Sequence, residues 1–308
     1  PGKHDWSLCN LLAIFRMVCF ILRLKVNIVH LTWPPRYGEF FTYLLRKRTV
    51  ITMHDPLPHS SEDAWLNRFH RNVCFRLLDT FILLNDIQKK PFIEAYHMQH
   101  KRVALSRLSA YTNLRNVQPQ YPDINNYVLF FGGISSHKGV EYLCEAMDEV
   151  CKKHPDVKLV VAGKGNLYFD ITKYDIFNDG HLVLLNHYLD DSVLVGLIRH
   201  SLFVVCPYID ATQSGVVMSA FALNKPVVAT NVGALPFMVK DGQYGTIVPP
   251  KDVSALATAI EALIESPQRV DAMMTNIERD YSDGDCSWSA IAQGIIDVYA
   301  DKLSAADK

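Results

Sequence analysis

Apolar and polar positions follow one pattern along most of the chain: short, largely apolar runs alternate with longer stretches of mixed character. The runs at 127–131, 157–162 and 227–230 are rich in valine, leucine and phenylalanine. Runs without a polar residue at every second position are typical of strands in a parallel sheet that is covered on both faces. The mixed stretches between them predict helices. This alternation predicts α/β domains with doubly wound parallel sheets and right-handed crossovers.

The first part of the chain predicts four strands and four helices. We place the strands at 27–31, 49–53, 80–84 and 102–105 and the helices at 5–25, 38–47, 62–78 and 86–98. Residues 11–24 of the first helix are apolar on most sides, with Arg16 and Arg23 as their charged residues. This run is shorter than the roughly 20 residues that span a membrane. We expect a core helix, with contact with a membrane surface as the alternative.

The second part of the chain repeats the pattern more regularly. We place strands at 127–131, 157–162, 181–185, 202–206, 227–230 and 246–248, and helices at 138–153, 190–200, 213–223, 234–240, 252–265, 268–281 and 288–302. Residues 106–126 are rich in asparagine, glutamine, tyrosine and proline and predict a linker.

These elements divide the chain into two Rossmann-like domains, at 1–115 and 116–285, followed by a C-terminal helix at 286–308 that we expect to pack back on the first domain. Such folds place a cleft between the two domains. The chain starts at Pro1 and reaches a helix before any strand. Because an α/β domain normally begins with a strand, we expect a first strand and its loop to be absent from this sequence.

Composition removes several classes of function. A net charge of -1 over 308 residues gives no electrostatic basis for nucleic acid as the main ligand. The seven cysteines include no C-x-x-C pair, which favours buried, reduced thiols in a cytoplasmic protein. No P-loop, nucleophile elbow or dinucleotide-binding glycine motif is present. A metal site at His54, Asp55, His59 and Glu62 is disfavoured, because there is no helical i, i+4 pair of ligands and Pro56 and Pro58 fix an irregular loop.

Polar residues and glycines follow the predicted strands, at the edge where ligands of doubly wound sheets bind. Gly132 and Gly133 follow one strand, with Lys138 at the start of the next helix, where a phosphate would be neutralised. A plain turn with a solvated lysine is the alternative at this position. Gly163 follows the second strand and predicts close backbone approach to a base or sugar. Asn186 follows the third strand and could line a base pocket, although a loop packed on its own side chains explains it equally well. His54 follows a strand of the first domain and could hydrogen-bond a sugar hydroxyl.

The loop at 208–215 combines two kinds of recognition. It ends where a helix begins, so free N–H groups and the positive end of the helix dipole favour an anion. Asp210 adds a carboxylate, which suits hydroxyl groups. An anion beside hydroxyl groups describes a nucleotide-sugar.

Several blocks together resemble the retaining glycosyltransferases of family 4, which have the GT-B fold. Residues 132–143 (GGISSHKGVEYL) resemble the G-R-x4-K-G block, and residues 210–215 (DATQSG) resemble the donor-binding block of a bacterial E-A-T-Q-S-G subgroup. Residues 241–250 (DGQYGTIVPP) resemble the turn that follows, and residues 54–62 resemble a first-domain loop of the same subgroup. The resemblance covers about residues 26–305.

The resemblance implies transfer of a sugar from a nucleotide-sugar donor to a saccharide or lipid-linked saccharide, with retention and without a cofactor or an obligatory metal. The 1–115 domain would serve the acceptor and the 116–285 domain the nucleotide-sugar. The enzyme would act in surface polysaccharide or glycoconjugate synthesis, in the cytoplasm, with peripheral contact at the inner face of the membrane. Catalytic roles would fall to His54, Lys138 and Asp210. The donor would contact Gly132, Gly133, Lys138, Gly163, Asn186, Asp210, Thr212, Gln213, Ser214, Gly215 and Ser219.

The sequence departs from this family pattern at several charged positions, including Gly133, His187 and Ser219. Gly133 stands where an arginine is expected, and Ser219 stands where a second glutamate usually holds the ribose. An arginine lost from a phosphate site removes charge-assisted hydrogen bonds of about 1.5–3 kcal/mol each. Two alternatives therefore stay open: a degenerate GT-B protein that acts as a partner or regulator, and a nucleotide-sugar epimerase.

Overall fold

The computed structural model describes residues 8–32, 43–54, 56 and 65–306. Contacts between Cα atoms divide the chain into two compact units. The first unit contains residues 1–107 and 291–308, and the second unit contains residues 108–290.

The first unit is a four-stranded parallel sheet with helices between its strands. The strands pair in the order β1-β2-β3-β4. They are β1 (Val29–Leu31), β2 (Thr49–Met53), β3 (Thr80–Leu83) and β4 (Arg102–Leu105), and the helices within the described residues include α1 (Leu8–Arg23), α2 (Trp65–Leu77) and α3 (Lys89–Ala95). All residues of β2 and β3 are buried, as the unbroken apolar runs predict.

The second unit is a six-stranded parallel sheet with strand order β10-β9-β8-β5-β6-β7. Its strands are β5 (Tyr127–Phe131), β6 (Lys158–Ala162), β7 (Leu182–Leu185), β8 (Val204–Cys206), β9 (Val227–Thr230) and β10 (Gly245–Val248). Its helices are α4 (Val140–Lys153), α5 (Asp175–Asn178), α6 (Asp191–His200), α7 (Gly215–Ala222), α8 (Leu235–Val239), α9 (Val253–Ile264) and α10 (Pro267–Ser282). A final helix, α11 (Trp288–Ala306), begins in the second unit and continues in the first.

The predicted strands all form, and most predicted helices start or end within a few residues of the observed ones. The largest shift at a described helix start is at 86–98, where α3 begins at Lys89. At 138–153, residues 136–138 form a 3-10 turn and α4 begins at Val140. The short helix α5 was not predicted. The predicted helix starts at 5–7, 38–42 and 62–64 lie outside the described residues.

Residues 108–126, most of the predicted linker, belong to the second unit. Ala110 and Leu114 are buried in its core, and the backbone N–H of Gln120 donates to the Ser192 carbonyl. Apolar side chains within this polar stretch therefore fix it to the sheet. The division falls between Arg107 and Leu108, earlier than the expected one at 115. From Ile291 the chain is again part of the first unit, where Val298 packs with Val50 and Ile82.

Helix α1 does not have the burial of a core helix. Val18 is buried against Leu45, but Phe15 is 59% exposed and Phe20 is 61% exposed. The expectation of a core helix is therefore wrong for the described side chains of α1, because one narrow face meets the sheet. None of the helices in the described ranges is long and apolar enough to cross a membrane.

Candidate functional site

The strand order of the second unit fixes where a ligand can enter. The chain runs outward from β5 through β6 and β7 on one side, and through β8, β9 and β10 on the other. The connections therefore leave in opposite directions at the boundary between β5 and β8. In doubly wound sheets such a switch point opens a crevice at the carboxyl ends of the strands. The loops after β5 and β8 carry most of the predicted site.

These two loops are joined directly. The backbone N–H of Ile209 donates to the His137 carbonyl at 2.9 Å, and the N–H of Asp210 approaches the same oxygen at 3.4 Å. The structure therefore brings the Gly132–Lys138 segment and the Asp210 loop into one assembly. His137, which the sequence analysis did not select, supplies the joint through its backbone.

Two glycines of the site, Gly163 and Gly133, differ in how much space surrounds them. Gly163 has φ +144°, and a Cβ there would lie 2.0 Å from the Gly132 carbonyl oxygen. Only glycine fits, because the loops after β5 and β6 pass in contact. Gly163 thus serves loop packing in this structure. At Gly133 a Cβ would meet one atom within 4 Å, the Lys164 carbonyl oxygen at 3.9 Å, so this position faces open space.

Asn186 also shapes the loop after β6. Its side-chain Oδ1 accepts a hydrogen bond from the Gly165 N–H at 3.0 Å. The Ile134 N–H donates to the Lys164 carbonyl at 3.2 Å, which continues the pairing of β5 and β6 beyond the strands. The Asn186 side-chain oxygen, which we predicted to line a base pocket, therefore already accepts a backbone hydrogen bond.

Lys138 lies over an aromatic ring at the switch point. Its Nζ is 3.7 Å from the centroid of Tyr208, which is the second residue after β8. Burial lowers the pKa of Lys138. The ammonium therefore belongs structurally to the β8 side of the crevice, although its backbone belongs to the β5 side.

The N-terminus of α7 presents backbone donors. Ser214 caps the helix by accepting from the Val217 N–H at 3.3 Å. The N–H groups of Gly215 and Val216 have no acceptor among the residues that the structure describes. Gly215 at this helix end is exposed, and so is Asp210 in the loop that precedes it. These features match a site for an anion, together with a carboxylate that can accept hydrogen bonds from hydroxyl groups.

Gln213 precedes the cap of α7. Its side-chain nitrogen is buried and has no acceptor within the described part of the chain. A buried donor without a partner costs about 1–3 kcal/mol. An oxygen-rich ligand at this loop would offset that cost.

The N-terminus of α4 differs from the expectation of free N–H groups. The Val140 N–H donates to the Tyr168 hydroxyl at 3.1 Å, and that hydroxyl donates to the Glu141 carboxylate. Burial and the Glu141 carboxylate raise the pKa of Tyr168. Tyr168 comes from the loop after β6, and its capping role could not be read from the α4 sequence. This helix end is therefore covered by a side chain.

The remaining predicted residues take different positions. The Ser219 hydroxyl donates to the Gly215 carbonyl at 2.9 Å within α7, and Ser219 is 9% exposed. It is thus engaged by its own helix. The Thr212 carbonyl accepts from the Ala234 N–H at 3.2 Å, which joins the loops after β8 and β9. His54 follows β2 in the first unit and is half-buried.

Comparisons with known proteins find similarity to glycosyltransferases. Residues 125–266 match the family of glycosyl transferases group 1. An uncharacterized glycosyltransferase of Methanocaldococcus jannaschii is 28% identical over 179 residues, 58% of this chain and 45% of that protein. The phosphatidyl-myo-inositol mannosyltransferase of Mycobacterium leprae is 29% identical over 196 residues, 61% of this chain and 50% of that protein. The chain thus spans about half the length of these curated relatives.

Likeness to solved structures extends over both units. The Anabaena protein HepE, solved in complex with UDP, superposes with a TM-score of 0.72 at 19% identity, covering 94% of this chain and 82% of that one. This confirms the expected fold class, two Rossmann-like units of the kind found in GT-B glycosyltransferases. The second unit, which contains the switch-point site, is thus similar to a glycosyl transferases group 1 domain.

Proposed function

We propose that the protein is a glycosyltransferase of the hexosyltransferase type that moves a sugar from a nucleotide-sugar to a saccharide or lipid-linked saccharide, with retention. The observation that carries the proposal is the joined pair of loops at the switch point, where a lysine ammonium and the N-terminus of α7 converge. The proposed setting is surface polysaccharide or glycoconjugate synthesis in the cytoplasm. The proposed chemistry uses no cofactor and no obligatory metal.

Lys138 and α7 supply two complementary ways to hold a diphosphate. The lysine provides a full positive charge, and the Gly215 and Val216 N–H groups provide oriented donors. In a leaving nucleoside diphosphate, negative charge grows as the bond to the sugar breaks. Preorganised donors aimed at such growing charge stabilise the transition state more than the ground state. The site is therefore suited to loss of a diphosphate leaving group without a metal.

The sugar would be held by groups that accept and donate hydrogen bonds. Asp210 is exposed in the loop that leads into α7, and its carboxylate can accept from sugar hydroxyls. We assign His54 of the first unit to the transferred sugar. With Asp210 on the donor and Lys138 on the diphosphate, these three residues form the proposed catalytic set.

Relatives support a nucleotide-sugar donor and an acceptor on a lipid. HepE was solved with UDP, and another structure of it was solved with UDP-glucose. The relative from Mycobacterium leprae is named for mannosyl transfer to phosphatidyl-myo-inositol. By analogy we assign this chain a nucleotide-sugar donor and place its acceptor among saccharides and lipid-linked saccharides.

Helix α1 supports peripheral contact with a membrane. Its exposed phenylalanines, Phe15 and Phe20, lie in a part of the chain, residues 8–32, that contains no Asp or Glu. The exposed cations in residues 8–32 and 43–54 are Arg16, Arg23, Lys25, Lys47 and Arg48. Apolar and cationic surface together favour an anionic lipid surface. Sedimentation with vesicles of phosphatidylglycerol, but not of phosphatidylcholine, is the expected result.

Binding and turnover test the function separately. Isothermal titration with UDP, GDP, ADP and their glucose and mannose conjugates should give a heat of binding with one nucleotide class. Lys138→Met should weaken that binding about tenfold or more, because a charge-assisted hydrogen bond contributes about 1.5–3 kcal/mol. Asp210→Asn should weaken the nucleotide-sugar more than the bare nucleoside diphosphate. Absence of binding to every member of the panel would refute the proposal, and binding without transfer to any acceptor would favour the degenerate alternative.

A further inference from the structure

Tyr208 is a buried aromatic residue at the centre of the switch-point site. Its ring is fully buried, and its face lies 3.7 Å from Lys138 Nζ. Its hydroxyl lies 3.4 Å from Ser214 Oγ, the side chain that caps α7. Its carbonyl accepts from the Thr230 hydroxyl at 2.6 Å, which anchors the residue to the end of β9. Tyr208 therefore contacts the lysine assigned to the diphosphate and the side chain that caps the helix whose N–H groups are assigned to it.

The geometry limits what Tyr208 can do. A fully buried ring is not available to contact a ligand directly, so any effect on ligand binding must pass through its neighbours. An ammonium over a ring face is attracted by the ring quadrupole, and the attraction grows when the pair is desolvated. A lysine side chain otherwise loses up to about 2 kcal/mol of rotamer freedom when it is fixed. Stacking on Tyr208 fixes Lys138 before a ligand arrives.

We propose that Tyr208 is a positioning residue that holds the Lys138 ammonium at a set place relative to the N-terminus of α7, so that both act on one diphosphate. The inference rests on the proposed function, because it assumes that a diphosphate is the ligand. Lys138 belongs to the loop after β5 and Ser214 to the loop after β8. The Tyr208 side chain contacts both Lys138 and Ser214.

The competing explanation is that Tyr208 only fills the core. Tyr127 provides a matched control for that explanation. It is also fully buried in the second unit, and its hydroxyl donates to the Leu197 carbonyl at 2.7 Å. Replacing either tyrosine by leucine removes a buried ring and a buried hydrogen bond. A pure packing role predicts the same effect on ligand binding for both replacements.

Binding is measured by titration with UDP and with inorganic pyrophosphate, which carries no base and no sugar. Tyr208→Leu should weaken both probes about tenfold, because binding would then have to fix the Lys138 side chain, which costs up to about 2 kcal/mol of rotamer freedom. Tyr208→Phe keeps the ring and should stay within about threefold of the wild type, since it loses one neutral hydrogen bond. Tyr127→Leu should lower the melting temperature and leave both affinities unchanged. Equal affinities in Tyr208→Leu and the wild type would overturn the positioning role.

An NMR measurement on the wild-type protein tests the positioning without any activity. With lysine labelled at Cε, the Hε protons of Lys138 should show an upfield ring-current shift, and the signal is assigned by its loss in Lys138→Arg. The shift should persist in Tyr208→Phe. A Lys138 signal at the ordinary lysine position would overturn the proposal even if Tyr208→Leu failed to fold. If the wild type shows the shift but binds neither probe, the diphosphate function fails while the stacking stands.

Discussion

Two helix ends at the same edge of one sheet differ in what covers them. Both α4 and α7 follow a buried strand and a short polar loop, and both begin in glycine-containing sequence. At α4 the Val140 N–H is capped by the Tyr168 hydroxyl. At α7 the Gly215 N–H has no acceptor among the described residues, and Gly215 is exposed. Similar local sequences thus give one covered end and one open end.

The difference shows that a strand, a loop and a helix start do not by themselves make an anion site. The deciding side chain at α4, Tyr168, comes from the loop after β6, a neighbouring part of the fold. At Lys138 a contact between two loops has the opposite effect, because it brings a cation to a helix end instead of covering one. It stands at the start of the α4 side, yet its ammonium stacks on Tyr208 of the α7 side. The cationic group of one loop therefore reinforces the open helix end of the other.

We expect the largest loss of UDP affinity from Gly215→Pro, which removes one N–H group from the open end of α7. Proline is accepted at the first helical position, and the preceding Ser214 has the extended backbone (φ -138°, ψ 111°) that proline requires. The fold should therefore persist. Loss of one hydrogen bond to a charged group costs about 1.5–3 kcal/mol, so UDP affinity should fall by about tenfold or more in a titration.

Gly215→Ala is the control for crowding at this position. It keeps the N–H, and its Cβ would lie 3.3 Å from the Tyr111 hydroxyl, the far end of a side chain. UDP should bind Gly215→Ala more tightly than Gly215→Pro. If the two variants bind UDP equally, the open end of α7 does not hold the diphosphate.

Sequence alone predicts most of this fold, because the evidence for it is local. The apolar runs locate β2, β5 and β9 at their observed bounds, and the strand–helix alternation predicts the parallel sheets. The site is predicted less completely, because contacts between distant segments decide it. The backbone of His137, the ring of Tyr208 and the hydroxyl of Tyr168 act across loops. The local sequence marks Tyr208 through one feature, its position directly after Pro207, which follows β8.

Gly133→Arg should increase the affinity for UDP by adding a cation to the loop after β5. The position faces open space, with the nearest atom 3.9 Å from a built Cβ, and its φ is outside the left-handed region. A guanidinium there can add a bidentate contact to a phosphate. UDP affinity should rise about tenfold at low salt and fall back as salt screens the pair.

The matched control for this gain is Gly133→Gln, which adds a long polar side chain without a charge. Its affinity for UDP should remain near that of the wild type at every salt concentration. An equal gain in both variants would mean that contact area, and not charge, is what the β5 loop lacks. No gain in either variant would place the diphosphate away from Gly133.

The smallest effect is expected from Tyr168→Phe, which uncovers the end of α4. The variant loses the cap on the Val140 N–H and the partner of Glu141. The free energy of unfolding, measured by urea denaturation, should therefore be lower by about 1 kcal/mol. Tyr188→Phe, at a side chain that is 79% exposed, should leave stability unchanged. UDP affinity should not change in either variant, because the open end of α7 already serves the diphosphate. A severalfold gain in UDP affinity on removal of the Tyr168 hydroxyl would reverse the comparison: α4 would then be an anion site that Tyr168 obstructs.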